Sequence, residues 1–134
     1  MSAYTKTNIK HEVEDAAPKF GLSPGLEFRY ARRDLDCEQS GASYQKIAPD
    51  FRQPFGHVHK DQEEVYVLVS GGARVKLDDD IVDLVPFDAV RIAPGVMRCV
   101  EAGPDGAEFI MFGAPLVDAQ DAEIVQGWWT TSET

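Results

Sequence analysis

Short apolar runs separated by turn residues at fairly even intervals leave this chain little room for anything but a set of short strands. The runs are "EFRYARRDL", "SYQKIAP", "FGHVH", "EEVYVLVSG", "ARVKLD", "IVDLVP", "AVRIAP", "MRCVEA" and "EFIMFGAP". Between them stand "SGA", "PDFRQP", "KDQ", "GG", "DDD", "FD", "PGV" and "GPDGA", in which turn formers dominate. "AVRIAP" and "ARVKLD" alternate apolar with polar residues, the pattern of a sheet with one packed and one wet face. "VYVLV" is apolar throughout, so it is expected to be covered on both faces or to meet another subunit. Strands this short and this numerous predict an all-β sandwich or barrel. Residues 1–25, with "DAAPKFGLSPG", form an irregular N-terminal arm, because two prolines and two glycines forbid a long helix. The barrel is expected over 26–115. The tail, 116–134, has room for a helical turn or two capped near Asp118 and is expected to pack on the barrel or a partner subunit.

The chain has 134 residues, 43% of them hydrophobic, which suits one domain with a real core. Thirteen basic against 23 acidic residues give a net charge of −10. Such a surface has no basic patch to displace counterions from nucleic acid, and an anionic membrane repels it. No apolar run approaches the length of a membrane span, and "MSAYTKTNIKHEVEDAA" lacks the apolar core and cleavage pattern of a secretory signal. Cys37 and Cys99 lie far apart without a CxxC pair, as expected of free thiols in a reducing compartment. These features predict a cytoplasmic protein with neither nucleic-acid nor membrane partners.

The chemistry concentrates in "GHVHKDQEEVYVLVSGG". His57 and His59 are two apart, so on a strand both rings point to one face. Glu64 follows beyond the polar break "KDQ"; if the chain folds back there, two imidazoles and a carboxylate can converge. Zinc, iron, manganese or nickel accepts such N/O ligands.

"HVHKDQEEVYVLVSG" followed by "PFDAVRIAPGVMR" resembles the two motifs of the cupin family. His57, His59, Glu64 and Gly71 fit the first motif, although Phe51 stands where a glycine usually opens it. Asp88, Val90, Pro94 and Gly95 fit the second, with Phe87 in place of the usual glycine. The resemblance implies a double-stranded β-helix, the cupin jelly-roll, which agrees with the strand rhythm. It says little about the reaction, because that fold serves many chemistries. Small jelly-rolls leave edges that pairing covers, so a homodimer is expected.

At the place of the family's third metal-binding histidine this chain has Arg98. A guanidinium has no lone pair for a metal and repels a divalent cation. Three readings of His57, His59 and Glu64 follow. They hold a divalent metal incompletely, with water completing its shell, and serve an oxygenase, isomerase or hydrolase. Alternatively, Arg98 fills the vacant centre, pairs with Glu64 and makes a metal-free pocket for a small anionic molecule. Or the histidines are merely satisfied residues on a structural remnant, in a sensory or scaffold module. For Arg98 itself the plain alternative is a surface arginine just past a turn, its stem covering apolar area.

Tyr66 and Leu68 share the parity of Glu64 and are expected to line the same cavity, with Tyr44 and Lys46 as further candidates. Met97 and Cys99 flank Arg98 and should face away from it. Gln53–Pro54–Phe55 reads as a pocket-rim loop or a plain connection, and Asp78–Asp80 as a hairpin tip. Trp128 and Trp129 suggest a docked tail.

Overall fold

A computed structural model describes residues 3–130; residues 1, 2 and 131–134 of the arm and tail lie outside the described residues. The strands are β1 (Leu26–Tyr30), β2 (Gly41–Ile47), β3 (Phe55–His59), β4 (Glu63–Leu77), β5 (Asp80–Leu84), β6 (Ala89–Ile92), β7 (Arg98–Ala114) and β8 (Ala122–Gln126). All pair antiparallel in one curled sheet. Two long strands run its whole depth, β4 against β7 from Glu63↔Ala114 to Leu77↔Arg98. One half of this ladder carries β6 on one side and β2–β1 on the other; the second half carries β5 and β3–β8. The two halves fold over each other as an all-β jelly-roll. No described helix is long and apolar enough to cross a membrane.

The length of β4 and β7 corrects the expected strand boundaries. "GG" and "GPDGA" read as strand ends, yet the ladder passes through both. The register shifts between Leu68 and Ser70 and between Gly71 and Ala73, so the break is a bend. Gly71 (φ 82°) permits it: a Cβ there would lie 2.0 Å from the Gly106 carbonyl oxygen. "EFRYARRDL" is corrected too. Pairing with β2 stops at Tyr30, and Arg32–Leu35 winds into one helical turn, α1, closed by Asp36 in the left-handed region (φ 56°). In the tail only Ala119–Asp121 is helical, a 3-10 turn capped by the Asp118 carboxylate, which accepts from the Gln120 N–H at 2.9 Å. The next residues, read as helix from sequence, form β8 beside β3.

The core joins Leu26, Phe28, Ile47, Leu68, Val75, Val100 and Phe109, among others, from both halves of the barrel. Tyr66 packs edge-on against Phe109 with ring centroids 6.2 Å apart and closes that apolar layer toward the polar one. The outward row of "VYVLV" (Val65, Val67, Val69) is half-buried, with Val65 opposite the exposed Phe112.

Phe87, in the position of the motif's glycine, holds φ at 74° while its side chain is 80% exposed. The Asp88 N–H donates to the Val85 carbonyl at 3.0 Å, so Pro86 and Phe87 are the middle of a tight turn that favours glycine at its third position. The exposed ring returns little packing for that strain. Phe87→Gly is therefore expected to raise unfolding free energy by about 1 kcal/mol, as read from urea denaturation. An unchanged or lower midpoint would show that the ring contributes contacts beyond its exposure.

Candidate functional site

The register brings the three parts of the site together. β3 lies beside the start of β7 with His57 directly opposite Arg98. Alternation on β3 points His57 and His59 the same way, with ring centroids 5.2 Å apart and planes nearly perpendicular. The chain reverses at "KDQ", as its polarity suggested, and returns Glu64 on β4 to face them. An unexpected residue holds this reversal. The Asp121 carboxylate accepts from the N–H groups of Asp61 (2.8 Å) and Gln62 (3.2 Å), and its carbonyl accepts from the Lys60 N–H (2.9 Å).

Four side chains converge on one oxygen, Oε1 of Glu64. Arg98 donates from Nη1 at 2.6 Å and Tyr66 from its hydroxyl at 3.4 Å. Nε2 of His59 lies at 3.3 Å and Nε2 of His57 at 3.5 Å. Arg98 is fully buried (0% exposed) and spends its other nitrogens on backbone: Nε donates to the Val96 carbonyl at 3.1 Å, Nη2 to that of Ala93 at 3.4 Å. The guanidinium thus lies inside the barrel, and the surface-arginine alternative falls.

The electrostatics follow from this crowding. Burial pushes the Glu64 carboxyl up, but hydrogen bonds from His57 and His59 and their charges outweigh it, so the group sits well below the usual carboxylate range. His57 is lowered, first by burial. His59 is raised, chiefly by its bond to Glu64 against burial, with Asp121 adding to it. The phenol of Tyr66 is raised far up by burial and then by Glu64, so it stays neutral and donates.

No protein-family model matches the chain, and no curated protein matches it. Solved structures do. A cupin protein from Bacteroides fragilis is similar with a TM-score of 0.69 at 22% identity, over 90% of this chain and 95% of that one. Oxalate decarboxylase from Bacillus subtilis is similar with a TM-score of 0.77 at 20% identity, over 92% of this chain and 32% of the enzyme. A nucleoside dehydratase from Streptomyces gives 0.73 at 15% identity, over 90% of each chain. The chain has the cupin fold. At these identities the likeness reaches the fold alone.

Within the cupin barrel, His57, His59 and Glu64 each offer a ligand atom, and these atoms lie within 4.8 Å of one another. Two ligands of a tetrahedral zinc stand about 3.4 Å apart, given bonds of about 2.1 Å, so the 3.3 and 3.5 Å to Glu64 fit a metal's spacing. The fourth corner does not fit. There the Arg98 nitrogen, with no lone pair, is already bonded to the oxygen a metal would claim.

Tyr66 reaches the site as parity predicted, whereas Leu68 lies below it in the apolar core. Tyr44 and Lys46 do not reach it, which corrects that expectation. On β2 it is Gln45 and Ile47 that turn inward; Lys46 is exposed, and Tyr44 lies under the N-terminal arm with the Lys10 ammonium 5.4 Å from its ring. Gln53 is a buried strut rather than a pocket rim. It donates to the Gln45 side chain at 2.7 Å and accepts from the Val100 N–H at 2.9 Å. Cys99 faces away from Arg98, bonds the Gln53 carbonyl, and burial pushes its thiol up to about 12. Asp78 turns the β4–β5 hairpin and accepts from the Met97 N–H at 3.0 Å. The tail docks on the barrel: Trp129 lies under the Arg52 and Arg74 guanidiniums at 4.1 and 5.3 Å, and Trp128 covers Gly56.

Sequence reasoning missed Asp121 and Tyr30. Register puts Tyr30 in one row with Ser43, Met111 and Tyr66. Its phenol is raised by burial and then by the charge of Glu64, although the residue is 57% exposed. Crowded by protein yet open to water, it stands near enough to the site to feel the Glu64 charge. Its alternation with Phe28 was the available signal.

Proposed function

We propose that this cupin barrel binds a small organic acid without a metal and exchanges protons with it through His57 and His59. The fully buried Arg98, bonded to Glu64, carries the reading. It supplies inside the barrel the positive charge a metal would bring, and it does so permanently. A guanidinium has five N–H groups; three are spent on Glu64, Val96 and Ala93, and Tyr66 lies against the group as well. Its charge therefore acts from behind Glu64, while a ligand carboxylate meets the partly exposed His57 and His59. The net charge of −10 opposes an anion only weakly, since salt screens distant charges beyond about 8 Å.

The histidines supply the chemistry. Their environments push them apart, His57 toward the neutral base and His59 toward the protonated acid. Two neighbouring groups separated in this way can take a proton and give one near neutral pH. One similar structure is a dehydratase, a reaction that needs both transfers; that likeness is one of fold, and the proton-transfer proposal rests on the histidines.

A second reading has one observation in its favour. Nδ1 of His59 lies 3.0 Å from the Asp121 carboxylate, an arrangement that metal-ligating histidines show. It would make His57, His59 and Glu64 the ligands of zinc, iron, manganese or nickel in a metal-dependent enzyme. Thermal-shift titration of protein purified without chelator separates the two. Small organic acids are expected to raise the melting temperature by several degrees, neutral sugars and divalent salts to leave it unchanged, and Arg98→Lys to remove most of the response. Near-stoichiometric metal in the purified protein, or a response to metals alone, would overturn the metal-free reading.

A further inference from the structure

We infer that Asp121 is a positioning residue that fixes the ring of His59, so that the tail segment between the barrel body and β8 is part of the site. Three contacts carry the inference. The Asp121 side chain is buried, only 5% exposed, and one of its oxygens lies 3.0 Å from Nδ1 of His59. The same carboxylate caps the Asp61 and Gln62 N–H groups, which ties the imidazole to the turn that delivers Glu64. Its backbone carbonyl takes the Lys60 N–H, and β8 then pairs with β3 through Ala122 opposite His59. The carboxylate therefore cannot shift without moving the histidine strand, the turn or β8.

The chemical consequence is specific. A carboxylate has no proton to give near neutral pH, so Nδ1 of His59 must be the donor in this contact. The ring is held with Nε2 toward Glu64 and the pocket, and it cannot turn over without breaking the bond to Asp121. His57 has no such second carboxylate among the described residues; its ring meets His59 and Glu64. Two histidines on one strand face are thereby made unequal by a residue far along the chain. The contact itself is the same under either reading of the pocket, because Nδ1 is bonded on the side of the ring away from Glu64; the test is run with a chelator present so that Nε2 is free to take the proton.

The test uses the full chain labelled with nitrogen-15 in its histidines, and reads at one fixed neutral pH which ring nitrogens carry protons. In the wild type, Nδ1 of His59 is expected in the protonated region of the spectrum. In Asp121→Asn and Asp121→Ala it is expected to move to the region of a bare ring nitrogen, with the proton on Nε2 and His57 unchanged. Asn keeps the volume and one oxygen for the Asp61 N–H, so it decides the matter if the alanine variant folds poorly. Asp118→Ala is the control, because it removes the cap of the same 3-10 turn without touching His59. Wild-type His59 resonances in both Asp121 variants, or the same displacement in Asp118→Ala, would overturn the assignment. Failure of ligand binding in the thermal-shift experiment would leave it standing.

Discussion

Replacing Arg98 with alanine is expected to cost the fold about 3–5 kcal/mol, the usual result of leaving one partner of a buried ion pair behind. Glu64 then keeps its charge with only imidazoles and a phenol to satisfy it, the Val96 carbonyl loses its Arg98 donor, and the Ala93 carbonyl is left with the Val96 N–H alone. Water reaching the side chain of Glu64, 16% exposed, favours the lower end of that range. Removing both charges should cost less than removing one. Arg98→Met with Glu64→Leu fills similar volume with apolar atoms, and it is expected to recover most of the loss, because a buried pair is close to break-even against a hydrophobic replacement. Denaturant titration of Arg98→Met, Glu64→Leu and the double variant forms the cycle. A single Arg98 variant within about 0.5 kcal/mol of wild type, the range of ordinary surface changes, would mean that the guanidinium is not the buried partner of Glu64.

Arg98→His should turn the pocket into a metal centre. Position 98 lies directly across the ladder from His57, and Glu64 already stands 3.3 and 3.5 Å from the two imidazoles. A third imidazole at this point completes a nitrogen and oxygen set and removes the resident positive charge. Zinc affinity is expected to rise about a thousandfold over wild type, or about 4 kcal/mol, with thermal stability becoming dependent on added zinc. Calorimetric titration of both proteins measures the ratio. Equal affinities would show that the strand register does not aim residue 98 at Glu64.

Both variants probe a site that was legible in part from sequence, and the reasons for the gaps are physical. His57, His59, Glu64 and Arg98 could be placed because strand alternation and fixed spacing are local properties, and the structure brings all four to one oxygen. Turn residues marked most strand boundaries, and β3 matches its run residue for residue. The glycine-rich breaks in β4 and β7 misled because glycine serves a bend as well as an end. Gly71 meets Gly106 across the ladder, a fact visible only once both strands are paired. β8 was lost because "AEIVQ" is short and follows a true helical signal at Asp118. Asp121 was out of reach for another reason. Its link to His59 spans 62 residues of sequence, and no local pattern encodes it.

The position of β3 bears on how the barrel is made. It sits between β7 and β8, and both neighbours are translated after it. A ribosome therefore releases the two-histidine strand with bare amide and carbonyl rows on either flank, and the first flank is covered only when the start of β7 emerges. The second stays open until β8 arrives, near the close of the described chain. An unpaired row of this kind invites pairing with other chains, and contacts this distant in sequence close slowly. Lys60 and Asp61, at the end of that strand, put charge beside the waiting edge and guard it meanwhile.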